Sequence, residues 1–312
     1  DKRQICAPCK DLKSIQVKLK DVLYEIYPQK PSAHGFIKHK SIVTNAKSHL
    51  NKSFIFNIDL SDFFGSIHFG RVKNLFKSPV FKFNDKVATI LAHISCFNNS
   101  LPQGAPSSPI ISNMIAWKLD SQLQRLAKAT GSTYTRYVDD ICFSFTCEKR
   151  SLPDKIILLN DSGDKPGHEL THIIESNGFS INCRKVRLCS EFGRMEVTGL
   201  TVNEFPNVRR EYVRQISSML HAWRKFGYEA AQLEYVNKYN IKHAGWCNPL
   251  LYQKVLKGKL AFLRNVRTGK NTIFIKLATQ YNMLVEDSLQ IKISDPVFPL
   301  RLVKKSSDDK KD

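Results

Sequence analysis

The chain has 312 residues, a formal net charge of +20 from 48 Lys and Arg against 28 Asp and Glu, and 42% hydrophobic residues. That length exceeds a usual single core, so two subdomains are expected, and the hydrophobic content excludes a disordered chain. The excess of positive charge implies a polyanionic partner, and no apolar run approaches the roughly 18 residues that a membrane-spanning helix needs.

Residues 1–10, DKRQICAPCK, read as the end of an extended hairpin that carries Arg3. Cys6 and Cys9 have CxxC spacing, but no second CxxC or close Cys/His pair completes a tetrahedral set. The eight cysteines therefore read as thiols in a reducing cytosol. Residues 11–27 have helical periodicity, with Leu12, Ile15, Leu19, Val22, Leu23 and Ile26 on one face. A turn rich in His and Lys follows over 31–40, and then Asn45-Ala46-Lys47-Ser48-His49, whose Asn and His have the usual fate of capping or core-satisfying groups.

Phe54 to Asp59 is an apolar strand ending in a carboxylate, which is costly to bury unless paired or metal-bound. Asp62 just beyond reads as a turn carboxylate. Residues 68–77 and 84–97 read as helices covering a sheet. Leu101 to Pro109, LPQGAPSSP, is a rigid turn that presents Gln103 ahead of a helix over 108–128. That helix packs through Ile111, Ile115, Leu119, Leu123 and Leu126, and its serines and Asn113, on the other face, meet nucleic-acid bases or solvent. Thr133 to Phe145 alternates β-favouring residues around Tyr137-Val138-Asp139-Asp140, a hairpin with two acids at its tip. Adjacent aspartates repel, and such a tip is either plainly solvated or holds a cation. Asp59 facing it would supply the oxygen ligands that two Mg²⁺ ions need.

Residues 148–168 form a polar segment that reads as an exposed loop, followed by a short helix over 169–177. Gly178 to Val186 brings in Arg184 and Lys185. Glu196 to Val202 reads as a strand pair in which Gly199 allows backbone to approach a phosphate or sugar. From Pro206 the composition turns basic. A helix over 209–226 carries Arg209, Arg210 and Arg214, and a second over 250–267 carries Lys254, Lys257, Lys259, Arg264 and Arg267, an imbalance that favours phosphate contact. Trp223, Trp246, Tyr212 and Tyr252 either stack on unpaired bases or fill a core. The charged end, 304–312, is expected to be disordered.

In this order and spacing the strings resemble a reverse transcriptase. The strand ending at Asp59 looks like polymerase motif A, LPQGAPSSP like motif B, YVDD like motif C, and Gly178 to Val186 like motif D. The NAxxH string at 45–49 and Val197-Thr198-Gly199 are similar to the strings that mark the retron reverse transcriptases of bacteria, and the match covers roughly residues 1–270. The resemblance implies an α+β fold of right-hand polymerase architecture. Fingers and palm, an antiparallel sheet covered by helices, would occupy 1–203, and a basic helical thumb with a charged tail 204–312.

The same resemblance implies Asp59, Asp139 and Asp140 as catalytic groups holding two Mg²⁺ with the Leu60 carbonyl. It implies Arg3 on the incoming triphosphate, Phe64 as a steric gate against the ribose 2′-OH, Gln103 beside the nucleotide sugar, and Lys185 (or Arg184) near the leaving pyrophosphate. Asn45 and His49 would contact RNA or support structure, and Val197, Thr198 and Gly199 would recognise the cognate RNA and help grip the primer. The expected protein is a bacterial, cytoplasmic enzyme that binds a structured non-coding RNA, primes from a guanosine 2′-OH and polymerises dNTPs into branched msDNA. It would act with an effector protein in phage defence, with no membrane role. Two alternatives stay open. A group II intron-type enzyme is disfavoured by NAxxH, by VTG and by the lack of a maturase extension. A catalytically idle RNA-binding scaffold is disfavoured by the three acids.

Overall fold

The structure is a computed structural model that describes residues 5–160, 163–239 and 251–293. Arg3, Trp246 and the 304–312 tail lie outside the described residues. The chain divides into two compact units, 1–206 and 207–312.

The first unit is built on one strand. β1 (Phe54–Ser61) is buried on both faces, which is why its sequence is apolar almost throughout rather than alternating. One edge of β1 pairs antiparallel with β3 (Asp140–Phe145), which pairs in turn with β2 (Thr133–Tyr137). Along its other edge β1 pairs with β6 (Ser180–Ile181) and β7 (Arg187–Ser190). Two small hairpins stand apart from this sheet: β4 (Ile157–Leu158) with β5 (Lys165–Pro166), and β8 (Glu196–Val197) with β9 (Leu200–Thr201).

Seven helices cover the sheet: α1 (Lys10–Ile26), α2 (Ile42–Lys47), α3 (Phe69–Lys77), α4 (Asp85–Ser95), α5 (Ser108–Ile115), α6 (Trp117–Ala129) and α7 (His168–Ser176). The core joins Phe56, Ile58 and Phe143 of the sheet to Leu23, Phe76, Ala92, Ile110, Leu119, Leu123 and Ile174 of the helices. This is the expected α+β class, an antiparallel sheet under helices. No helix among the described residues is long and apolar enough to cross a membrane. All seven described cysteines are free.

Three expectations change. The face of α1 is rotated: Gln16 is buried and donates to the Ile94 carbonyl at 2.7 Å, while Ile15, Val22 and Ile26 are exposed. The helix over 108–128 is two helices, with Ala116 (ψ −2°) between them. The segment 148–168 is no simple exposed loop, because Leu152, Ile156 and Ile157 are buried in the core. Gly167 makes that possible, since a Cβ there would lie 2.3 Å from the Asp154 carbonyl oxygen.

The second unit is helical: α8 (Arg210–Phe226), α9 (Tyr228–Lys238), α10 (Leu251–Arg267) and α11 (Thr272–Asn282). Its core centres on Trp223, whose ring lies edge-on to Tyr228 (4.9 Å), Tyr252 (6.2 Å) and Tyr281 (6.3 Å). Tyr252 is buried and donates its hydroxyl to the Met219 carbonyl at 2.8 Å. Trp223 and Tyr252 are therefore packing residues rather than stacking platforms.

Candidate active site

The β1–β3 register sets the carboxylates. Asp59, near the end of β1, is the direct cross-strand partner of Asp140, the first residue of β3. The backbone N–H of Leu60 donates to the Asp139 carbonyl at 3.0 Å and so fastens the hairpin tip to β1. Asp59 is buried, Asp139 half-buried and Asp140 exposed at the mouth. Desolvation by the surrounding protein, then the Asp139 and Asp59 carboxylates, push Asp140 up to about 6, with Lys185 and Arg187 pulling the other way. Lys185 Nζ sits 2.9 Å from Asp59 Oδ1, and Asn182 Nδ2 donates to Oδ2 at 3.2 Å. Both come from the turn after β6, which Asn182 anchors by donating its N–H to the Asp59 carbonyl at 2.8 Å. Among the described residues no three His, Cys, Asp or Glu side chains converge closely enough to hold a metal as they stand.

A cavity of about 380 Å³ opens over this cluster and is lined by Asp59, Asp140, Arg184, Lys185, Arg187, Asn45 and the Val197–Gly199 turn. Asn45 is buried and its side-chain oxygen has no hydrogen-bond partner. Phe64 and Gln103 share a second cavity of about 310 Å³ with Cys6, Asp62 and Leu101. The Phe64 ring leans on Phe63 at 5.5 Å and Phe36 at 6.4 Å. The LPQGAPSSP loop is fixed there because Cys6 N–H donates to the Gln103 carbonyl at 2.9 Å, and only glycine at 104 (φ 116°) lets the Cys6 carbonyl approach.

A family model for the reverse transcriptases (RNA-dependent DNA polymerases) matches residues 1–228. The retron Ec86 reverse transcriptase of Escherichia coli is 33% identical over 250 residues, 80% of this chain and 71% of that protein. The chain belongs to the retron reverse transcriptases. The retron Mx162 reverse transcriptase of Myxococcus xanthus is 31% identical over 311 residues, 89% of this chain and 58% of that protein. Among solved structures, telomerase from Candida albicans in complex with a TWJ fragment of telomeric RNA covers 90% of this chain and 56% of its own, at 10% identity and a TM-score of 0.42. The family match covers the whole sheet-bearing first unit and gives it the right-hand polymerase fold.

Not every expected contact residue of this reverse transcriptase can reach a ligand. His49 is fully buried, with Nδ1 2.7 Å from Ser144 Oγ and Nε2 2.7 Å from Thr135 Oγ1. Burial holds it neutral, its pKa lowered to about 3. Both nitrogens are spent joining α2's end to β2 and β3, so of the two roles expected for it, RNA contact or structural support, the geometry fits structural support. The Val197 side chain is likewise buried, which leaves only its backbone for a ligand. Thr198 (φ 47°) and Gly199 (φ 77°) form a two-residue turn with both residues left-handed, and the Thr198 hydroxyl donates to the Ile42 carbonyl at 3.4 Å. Asn113 does not face template: it is buried, donates to the Gly35 carbonyl at 3.0 Å and accepts from Arg136 Nη2 at 3.1 Å.

Arg136, Asp120 and Asn182 escaped the sequence reading. No sequence signal marked the first two, since Asp120 sits among Lys118, Ser121 and Gln122 and Arg136 between Thr135 and Tyr137, polar surroundings that read as surface. In the second unit Arg209, Arg210, Arg214, Lys254 and Arg264 are exposed and Lys257 is half-exposed. Lys259 is tied to Gln215 Oε1 at 3.0 Å and over the Tyr212 ring at 4.8 Å, and Arg267 Nε donates to Asn207 Oδ1 at 2.6 Å.

Proposed function

We propose that this chain synthesises DNA on an RNA template by adding dNTPs to a primer hydroxyl, as a retron enzyme of the bacterial cytoplasm. The observation that carries the reading is the register pairing Asp59 with Asp140, with Asp139 fastened beside them and Lys185 reaching into the same cavity.

The carboxylates fit Mg²⁺ by donor chemistry: hard oxygen ligands, crowded enough to raise Asp140. Asp59, Asp139 and Asp140 would hold two ions together with the Leu60 carbonyl. When bound, the ions lower the pKa of the primer hydroxyl and neutralise charge on the triphosphate. Lys185, now paired with Asp59, supplies the ammonium that donates a proton to the leaving pyrophosphate, and its exposed stem lets it swing from one partner to the other. Phe64 fills the space of a ribose 2′-OH, backed by Phe63 and Phe36. Gln103 shares the Phe64 cavity and lies beside the sugar. Arg3 is assigned to the triphosphate.

The template is a cognate structured non-coding RNA, primed from a guanosine 2′-OH and copied into branched msDNA that stays bound. The +20 charge supports a polyanionic partner, and Arg209, Arg210, Arg214, Lys254, Lys257, Lys259, Arg264 and Arg267 are the phosphate-binding residues of the second unit. Asn45 and the Thr198–Gly199 turn meet the RNA or primer at the first cavity. An effector protein and a role in phage defence complete the reading.

The test is to express the chain with its neighbouring non-coding RNA, extract nucleic acid, and treat it with RNase and a debranching nuclease. A short DNA whose mobility changes on debranching supports 2′-OH priming. Linear DNA refutes the priming claim, and bound RNA without DNA refutes synthesis.

A further inference from the structure

Beneath the YVDD tip lies a buried ion pair that touches neither metal ligand nor substrate. The Arg136 and Asp120 side chains are both 0% exposed and joined twice at 2.7 Å, Nε to Oδ1 and Nη2 to Oδ2. Tyr134 donates its hydroxyl to the same Oδ1 at 2.8 Å. The remaining donor, Nη1, reaches the Val138 carbonyl at 2.9 Å. A buried pair of this kind adds little stability over apolar residues of the same volume, so its contribution is better sought in position.

Val138 is the residue that needs holding. It opens the tip between β2 and β3 with φ 61°, a left-handed conformation that a β-branched residue adopts only under constraint. Gly35 presses on it: a Cβ there would lie 2.6 Å from Val138 N and 2.7 Å from its Cγ2. The loop bearing Gly35 is pinned to Arg136 itself, whose N–H donates to the Ser32 carbonyl at 2.9 Å and whose carbonyl accepts from His34 N–H at 2.8 Å. Lys40 closes that loop by donating to the carbonyls of Lys30, Pro31 and Ala33. Across the tip, the Leu60–Asp139 hydrogen bond registers the result on β1.

We propose that Arg136, held by Asp120 and Asn113 and acting with Gly35, is a positioning residue that keeps Val138 left-handed and thereby sets Asp139 and Asp140 against Asp59. The link to synthesis rests on the function proposed above. If Val138 relaxed, the peptide planes on either side would turn, and the Asp139 carbonyl would leave the Leu60 N–H.

Arg136→Lys keeps a cation for Asp120, but its single nitrogen cannot span both that carboxylate and the Val138 carbonyl. Two quantities are read: kcat and KM for dNTP on an RNA template, and, in the metal-free protein, amide hydrogen exchange at Leu60 against the interior of β1. The expected result is a kcat lower by roughly 10- to 100-fold with dNTP KM within about twofold, and faster exchange at Leu60 while Phe56 stays protected. Should that variant fail to fold, Gly35→Ala, which bears on Val138 from outside, is read by the same two measurements. Adding Val138→Gly to Arg136→Lys, which lets residue 138 take a positive φ without strain, is expected to restore protection at Leu60. Parent-like exchange at Leu60 in a folded variant overturns the proposal, as does a kcat loss that vanishes when assays are run at matched distance below each Tm. Faster Leu60 exchange in a variant whose parent makes no DNA sustains the positioning role and refutes the synthesis reading instead.

Discussion

Replacing His49 by Leu separates structural support from RNA contact. The substitution keeps bulk but removes both ring nitrogens, leaving Ser144 Oγ and Thr135 Oγ1 facing an apolar side chain in the core. Two lost hydrogen bonds, partly offset by the retained apolar volume, cost about 2–4 kcal/mol once stranded hydroxyls are counted. For a unit of about 200 residues that is a Tm lower by roughly 5–15 °C. The pH dependence gives an independent check. The folded-state pKa of His49 is lowered from 6.5 to about 3, so its contribution is fully present above pH 6.5 and is lost as pH falls toward 3. At pH 5 the parent has given up about 2 kcal/mol through His49, which the variant cannot lose, so the gap between them narrows there. Urea titrations at pH 7 and pH 5 measure both numbers, and filter binding measures RNA affinity below the transition. Parent-like stability with weakened RNA binding would refute the burial account.

Phe64→Ala opens the space beside the nucleotide sugar, and the ratio of kcat/KM for dNTP over rNTP is expected to fall by at least about tenfold, read in single-nucleotide extension. Replacing Arg210 and Arg214 together by Ala is expected to weaken RNA binding at every sequence alike and to lower the salt slope of log K by roughly 1–2, with kcat at saturating RNA unchanged. Trp223→Ala removes the centre of the second unit's aromatic cluster. A loss of about 3–5 kcal/mol is expected in denaturant titration, and full stability with lost RNA binding would restore the stacking role rejected here.

Much of the candidate site was legible because strand alternation and strand-end acids are local patterns. The run from Phe54 to Asp59 and the repeat around Tyr137–Asp140 each declare a strand, and antiparallel pairing then has few ways to bring three carboxylates together. What stayed hidden depends on partners remote in sequence. His49 gives no sign that Ser144 and Thr135 wait for its two nitrogens, nor Asn113 that Gly35 and Arg136 do. Gln16 was passed over inside α1 because periodicity counts apolar residues, whereas a free carbonyl at the end of α4 drew a polar one inward. The 148–168 segment misled for the opposite reason, since its Asn, Asp and Gly residues outnumber the three apolar side chains that anchor it.

The most direct test of the central claim is extension of a primer on an RNA template by the purified chain with Mg²⁺ and dNTPs, run beside Asp139→Asn. The acids are predicted to act in catalysis, so the parent should extend the primer while the variant, folded to the same Tm within a few degrees, should lose synthesis by more than about a thousandfold. Extension by the variant at the parent's rate, or none by a folded parent supplied with its cognate RNA, would contradict the account.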